Sequence, residues 1–148
     1  MPDLDQLAAR VREHIPLTRH LQFSLQGFAE GRLLLSAPLD ANINDKGTMF
    51  AGSQAALMAL AGWCLTTLEA EQRVGRSDVL AMHNSLRYLR PVTGDVLIEV
   101  TCSPESLARF RQRLDRGERA VLAIEAEARN ADGEVASRYQ AEYLARAL

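Results

Sequence analysis

From Gly47 to Leu68 the chain carries no charged side chain. A helix of that length without charge is stable in one of two settings. It spans a bilayer, which takes about 20 apolar residues, or a protein buries it on every side. The make-up of the run argues against a span. It opens with Gly47, Thr48, Gly52, Ser53 and Gln54, carries Gly62, Thr66 and Thr67, and draws much of the remainder from alanine. A span would also split the chain into two pieces whose strands need one core. We therefore expect a buried helix from about Gly52 to about Gln72, closed by Gly75, and no membrane partner.

The flanking segments supply something to bury it. Leu4–His14 reads as a short amphipathic helix with Leu4, Leu7, Ala8, Val11 and Ile15 on one side, ended by Pro16. Leu21–Phe28 and Arg32–Ala37 read as a hairpin around Glu30-Gly31. Beyond Gly75 the period changes to two. Leu80, Met82, Leu86 and Tyr88 alternate with Ala81, His83, Ser85 and Arg87, which predicts one apolar face. Similar alternation follows over Val96–Cys102, Ala120–Arg129 and Val135–Tyr143, with a hairpin turn at Asp132-Gly133. Pro104–Arg116 reads as a basic helix or a long hairpin arm. Two strands, one buried helix and four strands predict an α+β domain in which an antiparallel sheet wraps the helix. The 148 residues suit a single domain, 1–148.

Composition narrows the partners. The formal net charge of −2 leaves no basic excess to neutralise phosphates, so nucleic acid is not expected. Cys64 and Cys102 form no CxxC and read as small buried residues. His14, His20 and His83 show no ligand spacing, so no metal is expected. The first residues, MPDLDQLAAR, carry acids and no apolar stretch, which makes the cytoplasm the expected location.

The chemistry concentrates in the loop before the helix, Asn42-Ile43-Asn44-Asp45-Lys46-Gly47-Thr48-Met49-Phe50-Ala51-Gly52-Ser53. It delivers polar side chains to a helix N-terminus, where free backbone N–H groups favour negative charge. Gly52 would let a ligand approach the backbone, and Ser53 would cap the helix. Such amides suit the oxyanion formed when a carbonyl is attacked. Asn42, Asn44 and Asp45 are also residues that commonly shape turns.

This run resembles the hotdog-fold acyl-CoA thioesterases, whose loop reads Asn-x-x-Gly-Thr-x-His-Gly-Gly before the central helix. Asn44, Gly47, Thr48 and Gly52 carry the match, and the order of elements follows the family over nearly the whole chain. Tyr88-x-x-Pro91-x-x-Gly94-Asp95 resembles the family's strand ending. The run Asn42–Thr48, Asn-Ile-Asn-Asp-Lys-Gly-Thr, is similar to a subgroup of thioesterase-like proteins sometimes fused to an acetyltransferase domain. The resemblance implies a hotdog fold and a homodimer or dimer of dimers, with a pocket between the loop of one subunit and strands of the other. It also implies an acyl-CoA or acyl-carrier-protein thioester as substrate. Coenzyme A would enter only as part of the substrate, with no separate cofactor.

Three positions depart from the family. Phe50 stands at the loop histidine, Ala51 at the first glycine of the pair that follows it, and Ala59 at the carboxylate nine residues beyond Phe50. Asp45 is the nearest substitute base. In this reading Asn44 orients the water or carbonyl, and the amides near Gly52 and Ser53 hold the oxyanion. Asn42, Lys46, Gly47, Thr48, Met49 and Phe50 contact the substrate, joined by His83 and Ser85 from the strand bordering the pocket. Arg109, Arg111, Arg113, Arg116 and Arg119 read either as a solvated face or as contacts to coenzyme A phosphates. A binding protein that lost the acid is the alternative function. A dehydratase would need His83 to face a carboxylate.

Overall fold

The computed structural model describes all 148 residues. The chain opens with helix α1 (Leu4–His14), capped by Asp3, whose carboxylate accepts the Gln6 N–H at 3.0 Å. Leu7, Ala8 and Val11 face inward, as the periodicity predicts. A short helical turn, α2 (Thr18–Leu21), follows, and the left-handed Gln22 (φ 53°) redirects the chain. Leu21 therefore closes a helical turn, and the first strand, β1 (Ser24–Ala29), starts later than its apolar pattern suggests. Strand β2 (Arg32–Ala37) returns antiparallel after Gly31.

The charge-free run becomes helix α3 (Ala51–Val74), which ends at Gly75 in a left-handed conformation. Strands β3 (Ser77–Tyr88) and β4 (Val96–Thr101) come next, then helix α4 (Pro104–Asp115), β5 (Ala120–Arg129) and β6 (Val135–Ala147). Ser103 caps α4 by accepting the Ser106 N–H, and Pro104 opens it, so the basic segment is a helix rather than a hairpin arm. The strands form one sheet in the order β1-β2-β4-β5-β6-β3, antiparallel throughout. The sheet curves around α3, which touches β2, β3, β4, β5 and β6. This is the hotdog architecture: a long helix wrapped by a curved antiparallel sheet. No helix is long and apolar enough to cross a membrane.

The sheet's inner face is built by alternation. Leu33 and Leu35, Ile98 and Val100, Leu122 and Ile124, and Tyr139 and Tyr143 all bury against the helix side. Close packing fixes α3 at its middle. A Cβ on Gly62 would stand 2.5 Å from the Tyr143 ring, so only glycine lets that ring lie on the helix. The Tyr143 hydroxyl donates to the Ala59 carbonyl at 2.8 Å, and the Tyr139 hydroxyl lies 3.0 Å from that of Tyr143. Burial and this pairing hold the Tyr143 pKa far above its usual value, so it stays a neutral donor. Burial likewise pushes the Cys64 thiol up to about 12, which fits its reading as a core residue.

Strand β3 departs from the predicted alternation. The register with β6 slips between Ala81 and His83, which leaves Met82 as a bulge. Val79 and Ala81 share the inner face before the bulge, opposite Ala145 and Tyr143, and Asn84, Leu86 and Tyr88 share it afterwards. Leu80 and Met82 are therefore not core residues and are 54% and 58% exposed.

Just beyond the charge-free run lies a carboxylate with no solvent contact. Glu69 accepts the Gly31 N–H at 2.7 Å and an N–H of Arg111 at 2.7 Å, and Arg111 also binds Glu30. One buried charge thus joins α3, α4 and the β1–β2 turn. Removing one member of such a pair leaves the other uncompensated, at a cost of about 3–5 kcal/mol. Arg111→Met should therefore lower the urea midpoint strongly, whereas Arg111→Met with Glu69→Leu should lose much less. Equal losses in the single and double variants would show that the pair does not behave as a buried one.

Candidate active site

The loop between β2 and α3 is held by its asparagines. A 3-10 turn over Asp40–Asn42 leads into it. Asn42 is buried, and its amide donates to the carbonyls of Leu21 and Pro38, both at 2.9 Å. Its own carbonyl accepts the Phe50 N–H at 2.8 Å, which closes the loop's base. Ile43 and Met49 then bridge, and Met49 donates to the Val92 carbonyl at 2.9 Å. Asn44 organises the tip. Its Oδ1 accepts the N–H groups of Lys46 (2.8 Å) and Thr48 (3.1 Å), and its Nδ2 donates to the Thr48 hydroxyl (3.0 Å). Gly47, at φ 81°, supplies the left-handed residue that this tight hairpin requires.

Asp45 and Lys46 occupy the turn tip. Their side chains pair at 3.0 Å, and that of Asp45 is 82% exposed. Met49 is buried, whereas Phe50 is 56% exposed at the loop's exit.

Phe50, not Ser53, is the N-cap residue of α3, and no side chain caps this helix. The extended Phe50 (ψ 132°) lets the chain turn into the helix before Ser53, which then sits inside the first turn. Gly52 has a different reason from the one its sequence context suggests. A Cβ there would lie 2.3 Å from the Phe50 ring, so the glycine accommodates the aromatic side chain folded over it. The first bond of the helix within this region is Gln54 N–H to the Phe50 carbonyl, at 3.1 Å. The N–H groups of Ala51, Gly52 and Ser53 come before it and have no backbone acceptor in the protein. Beside them, the Tyr88 hydroxyl donates to the Ala51 carbonyl at 2.9 Å. Burial raises the Tyr88 pKa, which keeps the hydroxyl protonated.

Asn42, Asn44, Asp45, Lys46, Gly47, Thr48, Met49, Phe50, Gly52 and Ser53 thus form one continuous hairpin and helix entry, with Asp45 and Lys46 at the exposed tip. The structure does not bring His83 and Ser85 to it. After the Met82 bulge these two share the outer face with Glu142 and Gln140, their register partners. There they line a cavity of about 620 Å³ with Thr101, Ser106 and Glu125, on the far side of the sheet from α3. The basic stretch is also elsewhere. Arg111 binds Glu69, about 27 Å along the axis of α3 from Ala51 at 1.5 Å per residue. Arg109, Arg113 and Arg119 border a groove over Val121 and Leu144. Within one subunit Arg111 is therefore too far from the loop to share a small ligand with it.

Two residues join the site that sequence reasoning passed over. Tyr88 was visible only as a strand ending, because its reach to Ala51 depends on the bulge. Gln54, 4% exposed with its Oε1 unpartnered, carried a quieter signal as the one carboxamide inside the charge-free run.

Comparison with known proteins bears on this site. Residues 4–147 match the family described as "Putative thioesterase (yiiD_Cterm)". The chain belongs to this thioesterase family. A solved structure described as a putative thioesterase from Shewanella oneidensis is 30% identical, with a TM-score of 0.86, and the match covers 98% of this chain and 97% of that one. A Pseudomonas aeruginosa protein described as a probable thioesterase is 25% identical, with a TM-score of 0.81, covering 100% of this chain and 99% of that one. A thioesterase from Haemophilus influenzae is 17% identical, with a TM-score of 0.79 and coverage of 100% and 93%. That last likeness speaks for the fold alone.

The loop geometry makes a prediction of its own. Asn44→Ala removes the acceptor for two backbone N–H groups, at a cost of about 1–2 kcal/mol. Amide exchange at Lys46 and Thr48 should become markedly faster while β5 and β6 stay protected. Unchanged exchange at both amides would mean that the Asn44 side chain does not hold the turn.

Proposed function

We propose that this member of a thioesterase family hydrolyses acyl thioesters, carried on coenzyme A or on an acyl-carrier protein, at the loop Asn42–Ser53. The observation that carries the reading is the set of unpaired N–H groups at Ala51, Gly52 and Ser53, placed directly behind the polar loop. In this reading they receive the oxygen that gains charge when the carbonyl is attacked, and preorganised donors aimed at such an oxygen are among the strongest catalytic devices.

The reaction needs little else. Water attacks the thioester carbonyl carbon, its oxygen forms the new C–O bond, and the carbonyl π electrons move onto the oxygen held by the amides. The water's proton passes to a base. When the carbonyl re-forms, the C–S bond breaks and the electron pair leaves with sulfur. A thiolate with a conjugate acid near pKa ~8.5 departs without a proton donor. The products are the carboxylic acid and the free thiol.

Asp45 serves as the base in this reading. It is the only carboxylate in the loop, and its pairing with Lys46 is solvent-exposed and therefore weak. Asn44 acts by holding the turn that carries Asp45, and Asn42 by tying the loop to the body of the domain. Lys46, Gly47, Thr48 and Phe50 form the surface that the substrate meets, whereas the buried Met49 anchors the loop beneath it.

A second copy would complete the pocket. Strand β3 is a long edge of the sheet that offers unpaired backbone groups beside the exposed Leu80 and Met82. Pairing through β3 would bury both side chains and extend the sheet, giving the homodimer implied by the family resemblance.

A second reading has its own support: Phe50 and Ala59 replace the histidine and acid expected from the resemblance. It makes the protein a binder of acyl thioesters, which takes up ligand without turnover. Thiol release measured over a range of acyl-CoA chain lengths, and on acyl-carrier protein, separates the two. Asp45→Asn should lower kcat about 100- to 10,000-fold with little change in KM. An Asp45→Asn enzyme as fast as the parent would remove Asp45 as base, and saturable calorimetric binding with no turnover would favour the binder. Met82→Glu should convert a dimer to a monomer in sedimentation experiments, and a parent that already sediments as a monomer would count against pairing through β3.

A further inference from the structure

The sheet-facing side of α3 is apolar in its first half except at one position. Leu57, Met58 and Ala61 have no solvent exposure, and Gln54 begins the same stripe at 4% exposure. A leucine or methionine would fill that slot without a polar atom to satisfy. Instead, the Gln54 Oε1 is buried with no hydrogen-bond partner in the protein. Buried polar atoms are almost always paired, and an orphan calls for a specific explanation such as a water or a ligand. Packing gives no reason for this one.

Its direction supplies a reason. Helix side chains lean toward the N-terminus, so a residue covers the turn before its own Cα. Gln54 therefore leans over the turn that carries the free N–H groups of Ala51, Gly52 and Ser53. The sheet brings a second orphan to the same end. Tyr88 reaches the Ala51 carbonyl, and its register partner on the inner face is Ser137, which is fully buried with an unpartnered Oγ. A row of free donors and two unsatisfied oxygens thus belong to the elements that meet at the first turn of α3. Polar groups left unpaired in this way are what ordered internal waters satisfy.

We propose that Gln54 is a catalytic residue that holds the attacking water, its Oε1 accepting one of the water's hydrogens beside the carbonyl whose oxygen lies on the first-turn amides. This rests on the thioesterase reading above. A carboxamide takes no proton at neutral pH, so Gln54 orients the water and the proton still passes to the base. The arrangement explains why an amide occupies a slot shaped for an apolar side chain. It also compensates for the absence of a histidine at Phe50 and an acid at Ala59, because the water is held by a neutral acceptor on the helix itself.

The test uses the full chain and two substitutions at one position. Gln54→Met removes the acceptor and the orphaned atom together. It should lower kcat about 100-fold, as loss of reactant positioning does, leave KM within about twofold, and keep or raise the thermal midpoint. Gln54→Glu restores an acceptor of the same shape. It should recover part of the rate and add an acidic limb to the pH–rate profile, because the ionised carboxylate is the stronger acceptor. Wild-type turnover with an unchanged kcat in Gln54→Met overturns the proposal and leaves the hydrolase reading standing. A fall in kcat accompanied by a lower thermal midpoint in Gln54→Met, with Gln54→Glu equally slow, assigns Gln54 a structural role and also overturns it. A wild-type protein that turns over no acyl thioester overturns both.

Discussion

A helix that runs from Ala51 to Leu68 without a charge is stable in water only under an apolar cover. That requirement organises the domain. The sheet curls around α3 because its inner face carries the matching apolar residues on alternate positions of each strand. Strands β1 and β3 form the two edges of the wrap, and α1 adds cover through Leu7, Ala8 and Val11. The two ends of the helix meet different fates. Toward the C-terminal end, Glu69 draws in Gly31 and Arg111, and Arg10 binds Glu71 with its Nη2 3.0 Å from both carboxylate oxygens. Polar groups there are paired off. At the N-terminal end the first three N–H groups stay unpaired, and an uncapped entry at Phe50 leaves them that way. A rigid helix with one end locked and the other left with free donors is a suitable frame for carbonyl chemistry.

The loop in front of that end shows how one residue type divides its duties. Asn42 spends both amide hydrogens on the carbonyls of Leu21 and Pro38, and Asn44 spends its side chain on Lys46 and Thr48. These contacts fix a backbone shape and leave the exposed tip to Asp45 and Lys46. Much of the motif is therefore scaffold, and the reactive part is small. The Phe50 ring folds over Gly52 at the entry to the helix.

Periodicity made most of the fold legible. The buried helix, the hairpin before it and the four later strands follow from the change of period at Gly75 and from the turn residues. Local exceptions left no compositional trace. The bulge at Met82 shifts β3 by one residue, and a one-residue slip exchanges the faces of everything after it. Leu80 lies on the outer face before the bulge, Met82 is the bulge itself, and His83 and Ser85 share the outer face with Glu142 and Gln140 after it. The left-handed Gln22 similarly delays β1. Ser53 looked like a cap because its type favours caps, yet cap position depends on where the backbone turns, and that is decided at Phe50. The loop Asn42–Ser53, on which the proposed site is built, was readable as a polar turn before a buried helix, whereas Tyr88 and Gln54 needed the third dimension, since one reaches across from a strand and the other is notable only for a missing partner.

The bulge has one more effect. A straight edge strand of this length presents a uniform ladder of donors and acceptors on which almost any extended chain can grow, the first step of aggregation. At Met82 the ladder changes phase, so a regular incoming strand can match the stretch before it or the stretch after it but not both. A partner strand would need an irregularity of its own to match both. The defect in β3 thus narrows the set of strands that could extend this edge.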